Sequence, residues 1–80
     1  MYYVYIIKSI TNPNQIYVGY TENIKKRLSD HNSGSSDHAS KYKPWKLVMC
    51  LMFIDQEKAT EFEKYLKSHS GRAFRDKRLL

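Results

Sequence analysis

The sequence contains a single cysteine, Cys50, so no internal disulfide can form. One thiol and three scattered histidines, His31, His38 and His69, offer no zinc-ligand spacing, which excludes a structural zinc site and leaves the fold to stand on packing. No apolar stretch approaches the ~20 residues of a membrane span. The N-terminal Tyr2, Tyr3 and Tyr5 carry no basic leader or cleavage-type segment, so a cytoplasmic protein without a membrane partner is expected. Acids are also scarce. Eight Asp and Glu stand against fourteen Lys and Arg, a net charge of +6, and attraction to a polyanion, nucleic acid first among them, is the electrostatic expectation.

What is present suits one small globular domain over residues 1–80. Eighty residues leave no room for a second core, and 41% hydrophobic with 28% charged residues is a folded rather than a disordered balance. Seven tyrosines bring polar groups into packed surroundings. No repeat or domain boundary is visible.

Tyr2 to Ile7 is aromatic and β-branched and reads as a strand running into a turn at Asn12, Pro13 and Asn14. Ile16 to Tyr20 resumes the pattern, giving a hairpin in which Tyr3, Tyr5 and Ile7 share one face, while Tyr17 and Gly19 lie opposite Ile16, Val18 and Tyr20. Thr21 or Asn23 can cap a helix to about His31, followed by a flexible polar loop from Ser33 to Ser36. After Pro44, the unbroken apolar run from about Lys46 to Ile54, Cys50 included, predicts a strand buried on both faces. Asp55 caps a helix from Gln56 to Ser68, and Gly71 ends it before a short basic tail.

At about 100° per residue, Ile24, Leu28 and His31 share a face of the first helix with Arg27 on its border, while Lys25 and Lys26 point to solvent. In the last helix Glu63 falls in the apolar stripe of Ala59, Phe62 and Leu66, with Glu57 and Glu61 on the other side. A carboxylate aimed at an interior is unfavourable unless a charge or a metal satisfies it. Simpler roles stay open. Glu63 can pair with Lys67 one turn on, Arg27 can lie along the surface, His31 can bond helix-end carbonyls, and the tyrosines can be sheet packing.

Tyr3, Val4 and Tyr5, followed after a short hairpin by Tyr17, Val18 and Gly19, resemble the paired motifs of the GIY-YIG nuclease superfamily. Arg27 on the next helix, His31 followed by Asn32, Glu63 four residues after Ala59 and Lys67 four residues later keep the order of that family. Tyr3 stands for the first Gly of the namesake motif and Val18 for the central Ile of the second. The resemblance covers nearly the whole chain and is strongest to small single-domain bacterial members.

The resemblance implies an α/β fold, a three-stranded antiparallel sheet flanked by helices, that hydrolyses phosphodiesters with Mg²⁺ or Mn²⁺ held by Glu63. It implies that Tyr5 activates the attacking water, assisted by the positive field of Arg27, which also grips phosphate oxygens. Tyr17 then positions the nucleophile or phosphate, and His31 orients a neighbour or shuttles a proton. DNA affinity is expected from Lys41, Lys43, Lys46, Lys67, Arg72, Arg75, Lys77 and Arg78. Trp45 or Tyr42 could offer a stacking surface beside the loop from Asn32, although Trp45 next to Pro44 reads first as strand packing. With no recognition helix, structure-dependent or weakly specific cleavage of DNA is expected, with a targeting protein or a second copy as a further partner. Alternatives are a non-catalytic nucleic-acid-binding module on the same scaffold and an adaptor that uses its basic tail.

Overall fold

Tyr2–Ser9, rich in aromatic and β-branched residues, forms strand β1 at the centre of a sheet. The computed structural model describes residues 1–34 and 37–80, with the side chains of residues 37 and 38 excepted. Strand β2 (Ile16–Thr21) and strand β3 (Trp45–Phe53) flank β1, both antiparallel to it, in the order β2-β1-β3. Helices α1 (Ile24–Ser33) and α2 (Asp37–Tyr42) lie between β2 and β3 in sequence, and α3 (Gln56–Lys67) and α4 (His69–Arg78) follow.

The two-residue period of β1 separates two cores. Val4 and Ile6 join Val18 of β2 and Ala59 and Leu66 of α3. Tyr5 and Ile7 point the other way, to Trp45, Tyr17, Ile24, Leu28 and Tyr42. Each wholly buried aliphatic side chain contributes about 1.5–3 kcal/mol, so the central strand is the main anchor. Buried Ser9 ties down the following turn, donating to the Tyr42 carbonyl at 2.6 Å and accepting from the Asn12 N–H at 3.0 Å.

Of the two expected caps, Asn23 starts α1, its side chain accepting from the Lys26 N–H at 3.1 Å. The helix runs to Ser33, and Gly34 closes it at φ 76°, a left-handed conformation that glycine adopts without strain. The expected polar loop therefore begins as helix; Ser35 and Ser36 lie outside the described residues. Helix α2 was not foreseen from the sequence.

Two expectations are overturned. β3 is an edge strand, not a doubly buried one: Leu47, Leu51 and Met52 are 42%, 44% and 53% exposed, and Cys50 is exposed rather than packed inside. An apolar run reports compatibility with a strand, but the central place in the sheet belongs to β1. Gly71 does not stop a helix either. Ser68 ends α3 and caps α4, accepting from the Gly71 N–H at 3.1 Å, so the supposed basic tail is itself helical. A side chain on Gly71 would collide with the Tyr65 carbonyl and with Leu66 Cα, so the glycine permits close approach of α4 to the end of α3. Among the described residues no helix is long and apolar enough to cross a membrane.

Candidate functional site

Tyr5 sits opposite Gly19 in the β1–β2 pair, and the phenol occupies the space a side chain there would need. A Cβ on Gly19 would lie 2.5 Å from Tyr5 Cζ and 2.8 Å from Tyr17 Cε1, and it would overlap the Tyr5 hydroxyl. Tyr17, two residues before Gly19, shares this face, its ring 6.2 Å from that of Tyr5. Helix α1 packs over the same face through Ile24 and Leu28, which brings Arg27 and His31 to the phenols.

The Tyr5 hydroxyl accepts from Arg27 Nε at 3.4 Å and lies 3.1 Å from His31 Nε2. Arg27 can only donate to this oxygen, and the phenol proton goes to the imidazole when His31 is in its Nδ1-protonated tautomer. The His31 ring also rests against Tyr17, 4.8 Å between centroids. His31 thus serves the phenols, not just the helix-end carbonyls that a sequence reading allowed. Lys25 and Lys26 are exposed, as the helical spacing predicted.

Burial pushes the Tyr5 hydroxyl above its ordinary value of 10.0, against the lowering effect of the Arg27 hydrogen bond, and the charges of Tyr17 and Glu63 add to the rise. The field of Arg27 acts in the expected direction but is outweighed by desolvation. In return, the bond to Tyr5 raises the Arg27 pKa, keeping it cationic.

Glu63 also departs from its expected setting. Its side chain is 21% exposed, at the margin of the apolar stripe, and its Oε2 accepts from Lys67 Nζ at 3.1 Å. The acid's partner is one turn along its own helix, the simpler of the two readings. Its charge still reaches Tyr5. Lys67 lines a hollow of about 230 Å³ together with Tyr17, so the ion pair borders the tyrosine cluster. Among the described residues no group of three or more His, Cys, Asp or Glu side chains converges. A single carboxylate whose charge is felt at the Tyr5 phenol suits a hard, largely hydrated cation such as Mg²⁺ or Mn²⁺ and does not fit zinc. Oε1 of Glu63 accepts no hydrogen bond from the described residues, which leaves it available to such an ion.

The expected DNA-contacting residues divide. Lys67, Arg72 and Arg75 converge on the hollow beside Tyr17. Lys46 lines a different hollow with Lys8, and Lys41 sits over the Tyr42 ring at 5.4 Å. Lys43, Lys77 and Arg78 are exposed outside both. Trp45 is 3% exposed and donates through Nε1 to the Ala39 carbonyl, so it packs and offers no face to a base. Asn32 was noted in the sequence without a role. Its amide pairs both ways with the Trp45 backbone, donating to the carbonyl at 3.1 Å and accepting from the N–H, and so fixes the His31 end of α1 to β3. A side-chain amide at a helix end was the signal for it.

Residues 1–77 match the GIY-YIG catalytic domain. A UPF0213 protein of Staphylococcus haemolyticus is 36% identical over 70 residues, which is 86% of this chain and 83% of that protein. The solution NMR structure of a UPF0213 protein from Bacillus halodurans is similar at a TM-score of 0.56 and 31% identity, covering 95% of this chain and 81% of that one. The structure-specific endonuclease subunit SLX1 of Debaryomyces hansenii is 32% identical over 74 residues, 82% of this chain but 21% of that longer protein. The motif match spans nearly the whole sequence and relatives of similar size share the fold, so the chain belongs to the GIY-YIG nuclease family, as one of its small members.

Proposed function

We propose that this domain is an endonuclease that hydrolyses phosphodiester bonds in DNA with Mg²⁺ or Mn²⁺, choosing its substrate by DNA structure more than by sequence. One observation carries the reading: a buried phenol hydroxyl held between a guanidinium and an imidazole, an arrangement that sheet packing does not require. Because the Tyr5 pKa is raised, the phenol does not ionise ahead of the reaction. It acts as a relay, accepting a proton from the attacking water while giving its own to His31 Nε2. The 3.4 Å contact to Arg27 is the looser of its two bonds, and Arg27 is exposed, so a phosphate that draws the guanidinium outward uncovers the phenol. The guanidinium fork then stabilises charge that builds on the phosphoryl oxygens. Tyr17 steers the water or phosphate from the other side. Glu63 would hold the cation once Lys67 yields; when bound, that ion polarises a phosphoryl oxygen.

The charge of +6 favours a polyanionic substrate, and Lys41, Lys43, Lys46, Lys67, Arg72 and Arg75 are the proposed phosphate contacts. The name of the SLX1 relative, a structure-specific endonuclease subunit, supports a structural choice of substrate and a partner subunit. The pairing of Glu63 with Lys67 favours a second reading, a binding module without turnover. The deciding assay incubates the protein with branched, single-stranded and duplex DNA, with and without Mn²⁺, beside Tyr5→Phe and Glu63→Gln. Metal-dependent cleavage lost in both variants establishes the enzyme, whereas salt-sensitive binding without cleavage establishes the module.

A further inference from the structure

We propose that the hollow between β2 and the α3–α4 turn is a second phosphate subsite, holding a backbone phosphate of the strand that is cut at Tyr5. The assignment rests on the reading of the domain as a DNA-cleaving enzyme and gives that enzyme a grip beyond the reacting linkage. Ile16, Tyr17 and Val18 line the hollow from the sheet side, and Lys67, Arg72 and Arg75 bring three cations to it from two helices. No acid lines it. Its volume of about 230 Å³ lies below the roughly 300–1,000 Å³ typical of small-molecule pockets, which suits a phosphate and part of a sugar rather than a whole nucleotide.

Two observations make this more than a basic surface. Arg75 Nε is buried and donates no hydrogen bond to the described residues; the exposed Asp76 carboxylate forms an ion pair with it at 4.0 Å, too long for a hydrogen bond. The Arg75 guanidinium lines the hollow, and its one ion pair among the described residues is this long, exposed contact, so its charge remains available to an anion. Lys67, moreover, belongs both to the hollow and to Glu63. Glu63 would free the Lys67 ammonium for the hollow if it held a cation, and metal and phosphate would then strengthen each other's binding. Tyr17 lines the hollow and also packs on His31, so a strand seated there runs on to the tyrosine cluster.

The experiment follows backbone amides by NMR while inorganic phosphate is added to the intact protein, and measures binding of a short duplex across a salt series without metal. Phosphate should shift the amides of Ile16, Tyr17, Val18 and Arg72, and Arg72→Gln should abolish those shifts, weaken duplex binding about tenfold and lower the salt slope by about 1. Arg72 is exposed, so its variant retains the fold; Arg75→Gln, checked by thermal melting, should act in the same direction. Lys77→Gln removes the same charge from α4 outside the hollow and should leave the phosphate-induced shifts in place. Shifts spread evenly over all the basic segments, or unchanged in Arg72→Gln, would overturn the assignment even if the protein cleaves DNA. Localised shifts in a protein that never cleaves would support the subsite and remove the catalytic reading alone.

Discussion

Gly19 and Tyr5 are best understood as one unit, since the phenol passes over the glycine where a methyl group would overlap its hydroxyl. Gly19→Ala should therefore leave β2 paired but displace Tyr5 from Arg27 and His31, lowering kcat at least tenfold with little change in DNA binding; parallel turnover and anisotropy measurements separate the two effects. Tyr5→Phe keeps the packing and removes the proposed relay, for an expected loss of about 10²–10⁴ in kcat. The same substitution tests the raised pKa. Between the unfolded value of 10.0 and the higher folded one, the folded chain retains a proton that the unfolded chain has lost. The stability tied to this group is thus intact below pH 10.0 and declines as the pH rises past it. Urea midpoints measured on both sides of that pH should fall with alkalinity in the parent, and less in Tyr5→Phe.

At the level of elements, Asn32 ties the end of α1 to β3, while Ile24 and Leu28 pack the helix on the sheet. Asn32→Ala strips two hydrogen bonds from the Trp45 backbone and should destabilise the fold by about 1–3 kcal/mol in denaturant titrations. Gly71→Ala sets a methyl group against the Tyr65 carbonyl and should be destabilising by about 1–3 kcal/mol, by the overpacking rule. The hairpin, the Asn23 and Asp55 caps and the face shared by Arg27 and His31 were legible in the sequence because alternation, capping and helical spacing are local signals. The places of β3 and Gly71 were not. A run such as Leu47 to Phe53 does not encode whether it becomes a central or an edge strand, and a helical glycine that admits a neighbouring backbone looks the same as one that ends a helix. Glu63 was read as lying within the stripe, with Lys67 as the simpler alternative partner; its place at the margin depends on how far that stripe extends around α3.

For the molecule as a whole, the sheet is a partition, with the phenols and α1 on one side and Val4, Ile6 and α3 on the other. The charge of +6 surrounds both sides, so DNA binding should weaken steeply with salt in proportion to the phosphates engaged. Tyr5 belongs to the strand whose residues Val4 to Ile7 are wholly buried and hydrogen-bonded to neighbours on either hand, whereas α1, which carries Arg27 and His31, has no fully buried residue. Local opening of that helix leaves the sheet standing. The proposed chemistry should consequently be lost under mild heat or urea well before the strands exchange their amide hydrogens, and a preparation can appear folded by its β-sheet signal after the helix carrying Arg27 and His31 has come loose.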